Sequence, residues 1–470
     1  MSTARRVNSG GEGACGSRCN ITVERNASRV DGGEVNETTP SAAPSRAWPI
    51  AARLLERWRT EEERVDSLLE KAPAGLTRFE RARVQNLLYG ALRHRTRIEA
   101  HLDEFVARPP RPIIWAVLLL AGYELLEGGE DGHAARVGHH AVEQTKRLAS
   151  PKEAGLVNAV VRKLAVALAD ETPPGDDAPV PELARYFSHP EWLVERWISR
   201  LGRDTARDLL KSNQTIAPVY ARWRRRDRAP NEVERSWLRP VDDVPDFFAI
   251  SPGHWEDVQP YLQDGSLYIQ DPATRHAIDL LAPQPGEDVV DVCAAPGGKS
   301  LALADRMEKG RVVSIDLPGP RMRRLEQNLK QMPPEVKAFA VAGDLRRTGL
   351  RLLESRHLPT EVPAVLIDVP CSNTGVMRHR VDVKWRLQPD DIRRNASQQF
   401  ELLDSAARLV APGGRIVYST CSLEPEENEQ VVDAFVRRSR GAFERVAERS
   451  SRPWLTGYDG ASAFLLRRKA

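Results

Sequence analysis

The segments "DVPCSNTG" (368–375) and "YSTCSLEPEENE" (418–429) each place a cysteine after a short apolar run, Cys371 in the first and Cys421 in the second. The chain has only five cysteines in 470 residues, so two at such positions ask for a reason. A thiolate is a strong nucleophile, but an unperturbed thiol titrates at about pH 8.5, so a neighbouring charge or base has to favour its ionisation. Two thiols held together can divide the work of covalent catalysis. One adds to an electrophilic carbon, and the other helps remove a proton before the adduct breaks down. Asp368, three residues before Cys371, brings a carboxylate to the same turn.

Such groups need a framework, and the sequence after Pro285–Gly286 provides one. Short apolar runs recur with helical patterns between them: "DVVDVCA" (288–294), "RVVSIDL" (311–317), "VKAFAVAGDL" (336–345), "AVLIDVP" (364–370) and "GRIVYSTC" (414–421). Strands alternating with helices predict βαβ units and a parallel sheet. Ligands of such sheets bind at the carboxyl ends of the strands. Those ends carry Cys293, Asp316, Asp344, Asp368 with Cys371, and Cys421. "CAAPGGKS" (293–300) is a glycine-bearing turn into a helix, where backbone N–H groups can approach a ligand closely. It is neither a dinucleotide G-x-G-x-x-G nor a phosphate-binding P-loop. Asp316 lies 18 residues after Gly298, suited to a ribose diol, and Asp344 could accept from an adenine amino group. A carboxylate for the ribose, another for the base and a tight turn for an amino-acid moiety suit S-adenosylmethionine. Two thiols beside a methyl donor point to pyrimidine methylation, because carbon-5 of cytosine becomes nucleophilic only after a thiolate adds at carbon-6. Asp368 would then meet the cytosine edge and offset charge at ring nitrogen-3. The base has to leave its stack to enter the site. Chemistry alone does not choose which thiol attacks.

The rest of the chain reads as separate units. Residues 48–168 carry apolar positions at i, i+3 and i+4 throughout and predict an all-helical domain. The acidic, proline-rich stretch 169–182 reads as a linker, and 183–285 as a small α+β connector before the catalytic domain at 286–470. Residues 1–45 are rich in Gly, Ser, Thr and Asn, and predict a disordered extension in which Cys15 and Cys19 have no second ligand pair. His133, His139 and His140 lack a completing ligand set, so no metal is expected. The apolar run 113–126 is broken by Gly122 and Glu124 and reads as a core helix rather than a membrane span. An odd cysteine count and an N-terminus without an apolar stretch behind Arg5 and Arg6 place the expectation in the cytoplasm. Net charge is only +3, but arginines cluster at 78–97 and 222–228, and phosphate contacts are expected there.

The three segments "DVCAAPGGKS", "DVPCSNTG" and "YSTCSLEPEENE", in this order, resemble the Sun-type family of RNA (cytosine-5)-methyltransferases, as does "YIQDPATRHAIDLLAPQPGE" (268–287) ahead of them. The helical 48–168 region resembles the NusB RNA-binding fold. The fusion is characteristic of a bacterial ribosomal RNA enzyme, and the resemblance runs from about residue 48 to the end. It implies a Rossmann-like S-adenosylmethionine-dependent methyltransferase domain preceded by the NusB-like domain and the connector. The implied cofactor site is Cys293, Ala294, Ala295, Pro296, Gly297, Gly298 and Lys299, with Asp316, Asp344 and Asp368. It also implies Cys421 as nucleophile and Cys371 as the residue assisting product release. The expected partner is RNA, small-subunit ribosomal RNA first, acted on by a monomeric chain with no membrane association. Transfer RNA is the alternative substrate, and a non-catalytic RNA-binding or antitermination factor the alternative class, which has no use for two placed thiols. Two departures stand out. Asn373 occupies a position where the family usually has glycine, a turn that asparagine's tolerance of left-handed backbone should preserve. The 1–45 extension is outside the family pattern.

Overall fold

Helical periodicity over the N-terminal third closes into a bundle in the computed structural model, which describes residues 46–470. The extension 1–45, with Cys15 and Cys19, lies outside the described residues. The bundle helices are α1 (Ala47–Glu61), α2 (Val65–Glu70), α3 (Arg78–Arg93), α4 (Arg95–Phe105), α5 (Pro112–Glu127), α6 (His133–Leu148) and α7 (Pro151–Asp170). Helix α5 is its centre, buried without a break from Ile113 to Glu124. Its polar interruption is satisfied: Glu124 accepts from the Trp48 indole at 3.0 Å and the Arg83 guanidinium at 2.5 Å. Gly90 lets α3 press against α5, because a Cβ there would lie 2.0 Å from the Tyr123 ring. Among the described residues no helix is long and apolar enough to cross a membrane.

The stretch read as a linker is anchored. Glu171 accepts from Arg97 at 2.6 Å and Arg185 at 3.0 Å, tying the end of α7 to α8 (Val180–Tyr186). After α8 come α9 (Glu191–Leu201) and α10 (Arg203–Gln214). A small antiparallel sheet follows, of β1 (Tyr220–Trp223), β2 (Leu238–Pro240), β3 (Phe247–Ile250) and β4 (Leu267–Ile269), in the order β2-β3-β1-β4.

The main sheet holds the five strands read from the sequence, β5 (Asp288–Val292), β6 (Gly310–Asp316), β7 (Val336–Ala342), β8 (Val362–Asp368) and β9 (Val410–Thr420), all parallel. It adds two strands that the sequence reading did not assign, β10 (Phe443–Ser451) and β11 (Ala461–Arg468), both antiparallel to their neighbours. The order is β10-β11-β9-β8-β5-β6-β7. Strand order reverses between β8 and β5, and a crevice opens beyond their carboxyl ends at that point. Val290, Val292, Val365, Ile367 and Ile416 fill the core beneath it with no measurable exposure or nearly none.

Helical and catalytic parts are interlocked through the chain that leaves the Cys371 turn. Val381 is buried in the bundle core, the Trp385 indole donates to the Leu92 carbonyl at 2.9 Å, and Lys384 donates to the Arg93 carbonyl at 3.0 Å. Arg93 answers by donating to the Arg378 carbonyl at 2.9 Å.

Candidate active site

Strand ends place the groups. Cys371 follows β8 and Cys421 follows β9, and because these strands are adjacent and parallel the two sulfurs meet at 3.2 Å. Asp368 ends β8. Its Oδ2 accepts from Lys299 Nζ at 2.7 Å across the crevice, and its Oδ1 accepts from Ser419 Oγ at 2.6 Å. Burial opposes the Lys299 ammonium, but Asp368 outweighs it and the pKa is raised. Lys299, expected with the cofactor loop, thus reaches the cysteine side of the site.

The two thiols sit in opposite electrostatic surroundings. The Cys421 pKa is lowered, first by its hydrogen bond with Cys371 and further by Arg380 and Lys299, against burial and the Asp368 charge. The Cys371 pKa is raised well above the ordinary value, by the same hydrogen bond, by burial and by the charges of Cys421 and Glu427. Both directions favour the proton on Cys371 and negative charge on Cys421. Glu427 is held under Cys371 by the Ser372 N–H at 2.8 Å, by Asn395 at 2.9 Å and by the hydroxyls of Ser372 and Ser422. Asn373 keeps the turn, with φ +61°, and its amide reaches both cysteines: Nδ2 donates to the Cys371 carbonyl at 2.8 Å, and Oδ1 lies 3.2 Å from Cys421 Sγ.

The cofactor-side residues gather at the ends of β5, β6 and β7. Cys293 and Gly297 adopt positive φ, +62° and +106°, as the turn from β5 into the helix Gly298–Met307 requires. A Cβ on Gly297 would come 2.9 Å from Leu325, and one on Gly298 2.9 Å from Tyr268, so the loop closes tightly only with glycine. Asp316 ends β6 and accepts from the Ala295 N–H and the Leu317 N–H, each at 2.7 Å. This leaves one lone pair on each oxygen for a hydroxyl. Pro296 and Ala295 are fixed from behind, the first by Asn328 donating to its carbonyl at 2.8 Å and the second by Arg321. Ala294 is buried beneath the turn. Asp344 lies two residues beyond β7, but its carboxylate is engaged by Arg346, through Nη2 at 2.9 Å and Nε at 3.1 Å, and its pKa is lowered by that contact.

A pocket beside Cys421 is lined by Lys299, Asp368, Ser419, Asp271 and Asp459. The last two carry no assignment from the sequence. Asp271 accepts from the Asp459 N–H at 3.2 Å, burial raises its pKa to about 6, and burial also drives Asp459 well above the carboxylate range. Asp271 had a signal, since it lies in the quoted 268–287 motif. Asp459 arrives only through a close backbone approach: Gly375 N–H donates to the Cys421 carbonyl at 3.0 Å and the Gly460 N–H to the Gly375 carbonyl at 2.9 Å. A Cβ on Gly375 would sit 2.6 Å from the Gly460 oxygen.

Several of the arginines expected on phosphates hold acidic partners within the fold. Arg83 pairs with Glu124 and Glu127, Arg95 with Glu99, and Arg97 with Glu171, while Arg93 is buried at the junction with the catalytic part. Local spacing revealed the basic run but not the partners from outside it, Glu124 and Glu127 of α5 and Glu171 just after α7, while Glu99 lies one turn along α4 from Arg95. In the 222–228 run, Arg222 and Arg224 share Asp305 and Arg228 pairs with Glu234.

A sheet of this order, with its site at the switch point and an all-helical domain in front, defines a Rossmann-like methyltransferase joined to a NusB-like domain. Residues 278–452 match the family described as 16S rRNA methyltransferase RsmB/F, and residues 45–166 match the NusB family. Ribosomal RNA small subunit methyltransferase B of Vibrio cholerae is 31% identical over 370 residues, covering 77% of this chain and 82% of that protein. The protein of the same name from Enterobacter sp. (strain 638) is 27% identical, covering 88% of this chain and 95% of its own length. The crystal structure of PH0851 superposes with a TM-score of 0.71 at 25% identity, over 91% of this chain and 99% of that one. The chain belongs to the RsmB/F methyltransferase family.

Proposed function

We propose that this protein transfers a methyl group from S-adenosylmethionine to carbon-5 of a cytosine in 16S ribosomal RNA, through a covalent adduct with Cys421. One observation carries the reading: the two sulfurs lie 3.2 Å apart, within hydrogen-bond distance, with the Lys299–Asp368 pair beside them. The ribosomal substrate rests on the relatives' names and on the NusB-like domain.

The residues present suit the donor. Gly297, Gly298 and the Cys293–Pro296 turn would hold its amino-acid end, with Asp316 for the ribose. Asp344 would meet the base once Arg346 yields. When bound, S-adenosylmethionine supplies an electrophilic methyl group. The Cys421 thiolate adds to carbon-6, and the electron pair of the ring double bond passes to carbon-5, with Asp368 and Lys299 at the cytosine edge where charge develops. Once the Cys421 charge is consumed in the carbon–sulfur bond, the largest reason for Cys371 to hold its proton is gone. With the methyl on carbon-5 and the Cys371 proton released to solvent, the Cys371 thiolate takes the carbon-5 proton, and the pair left behind re-forms the ring double bond as Cys421 departs as thiolate.

A denaturing gel of wild type, Cys371→Ala and Cys421→Ala after incubation with 16S rRNA and S-adenosylmethionine tests these roles. A slow-migrating protein–RNA adduct is expected only with Cys371→Ala, and an adduct only with Cys421→Ala would exchange the two assignments. Bisulfite sequencing of a deletion strain tests the substrate: loss of a transfer-RNA mark with ribosomal RNA intact would overturn it.

A further inference from the structure

A cavity other than the one at the cysteines is lined heavily by arginine. It has a volume of about 450 Å³ and lies between the small β1–β4 sheet and the helices Arg275–Leu281 and Gly298–Met307. Eight arginines line it against three aspartates. Two of those aspartates are oversubscribed. Asp305 takes Arg222 at 2.7 Å and Arg224 at 2.8 Å, and Asp279 takes Arg275 at 2.8 Å, Arg449 at 3.2 Å and Arg306 at 3.8 Å. Five guanidinium groups thus share two carboxylates. Arg222 is 9% exposed, yet its Nη2 has no hydrogen-bond partner. A buried guanidinium donor left unmade is costly, and burial accordingly pulls the Arg222 pKa down. Around the mouth, Arg226 and Arg306 keep about half their side-chain surface in solvent. Trp223 and Phe248 add aromatic surface, with Arg228 stacked 5.0 Å over the Trp223 ring.

Excess guanidinium charge, an unpartnered buried donor and aromatic walls are what a phosphodiester with an attached base or sugar would complete. The cavity also neighbours the catalytic pocket, because Thr274 lines both and Asp271 and Gln270 face opposite ways from the same turn. We infer that this cavity is a phosphate anchor for the RNA strand, gripping backbone beside the nucleotide that enters the Cys421 pocket. The inference rests on the reading of the substrate as RNA, and it relocates the phosphate contacts from the arginine run itself to a cavity the run shares with Arg275 and Arg306.

The test is the double variant Arg226→Gln/Arg306→Gln, both positions being solvent-exposed, with an unchanged melting midpoint as the folding control. RNA binding is measured against salt by filter binding with 16S rRNA, and methyl incorporation is measured separately. The variant is expected to bind RNA about tenfold more weakly, with the slope of log affinity against log salt reduced by about 1 to 2, while S-adenosylmethionine affinity holds. Wild-type affinity and slope in the variant would overturn the anchor while leaving methyl transfer standing. A weakened variant whose wild type transfers no methyl would keep the anchor and overturn the enzymatic reading. Tripolyphosphate serves as a free-phosphate probe: displacement of RNA from wild type but not from the variant supports the anchor. Binding of tripolyphosphate with RNA affinity unmoved would make the cavity a site for free phosphates, overturning the inference.

Discussion

On the proposed roles, replacing Cys371 by alanine removes the donor that holds the Cys421 thiolate. A hydrogen bond to a charged group contributes roughly 1.5–3 kcal/mol, and one pKa unit corresponds to about 1.4 kcal/mol. The sulfurs are 3.2 Å apart and Cys421 is also within the influence of Lys299 and Arg380, so the donor supplies part but not all of the stabilisation. The Cys421 pKa is therefore expected to rise in Cys371→Ala, by less than loss of all three neighbours would raise it. The assay is the pH dependence of iodoacetamide alkylation at Cys421, read peptide by peptide by mass spectrometry so that the other cysteines do not interfere. The companion measurement on Cys371 in Cys421→Ala should move the other way, because the neighbouring negative charge that raises it is gone. An unchanged or lowered Cys421 pKa in Cys371→Ala would refute the donor assignment, and with it the division of labour between the thiols.

Asn373→Gly tests the contact peculiar to this chain. Glycine accepts φ +61° without strain, so stability should change by less than about 1 kcal/mol. Loss of Oδ1 at 3.2 Å removes an acceptor for the Cys421 thiol, so the Cys421 pKa is expected to fall; a rise would mean the amide presents nitrogen instead. Asp291, fully buried in β5 with its Oδ1 unpartnered, has its pKa raised by burial from 3.8 to about 7. The folded state holds that proton more tightly than the unfolded chain. Its contribution is thus fully present below about pH 4 and lost as pH rises through about 7, as much as about 4 kcal/mol in all. Asp291→Asn should flatten the fall of the melting midpoint between about pH 4 and pH 7, and an unaltered slope would sink this account.

Much of the architecture was legible because it is written in local periodicity. Apolar spacing marked the helices around α5, and β-branched runs marked five parallel strands whose ends carry Cys293, Asp316, Asp344, Asp368, Cys371 and Cys421. Strands β10 and β11 escaped for a physical reason. Most of β10 is exposed and charged, and it is a strand only because β11 pairs with it after a turn that also delivers Asp459. The arginines show the same limit, since a basic run is visible in sequence while Glu124, Glu171 and Asp305 come from elsewhere. By itself the sequence determined that two thiols and a carboxylate end two successive strands, because strand periodicity and turn residues are local; that the strands are neighbours in the sheet is tertiary. Which thiol the surroundings favour for the charge is visible only in the tertiary structure. Glu427 packs behind Cys371 while Lys299 and Arg380 approach Cys421, and in a buried site such neighbours, brought from distant segments, set where a negative charge can rest.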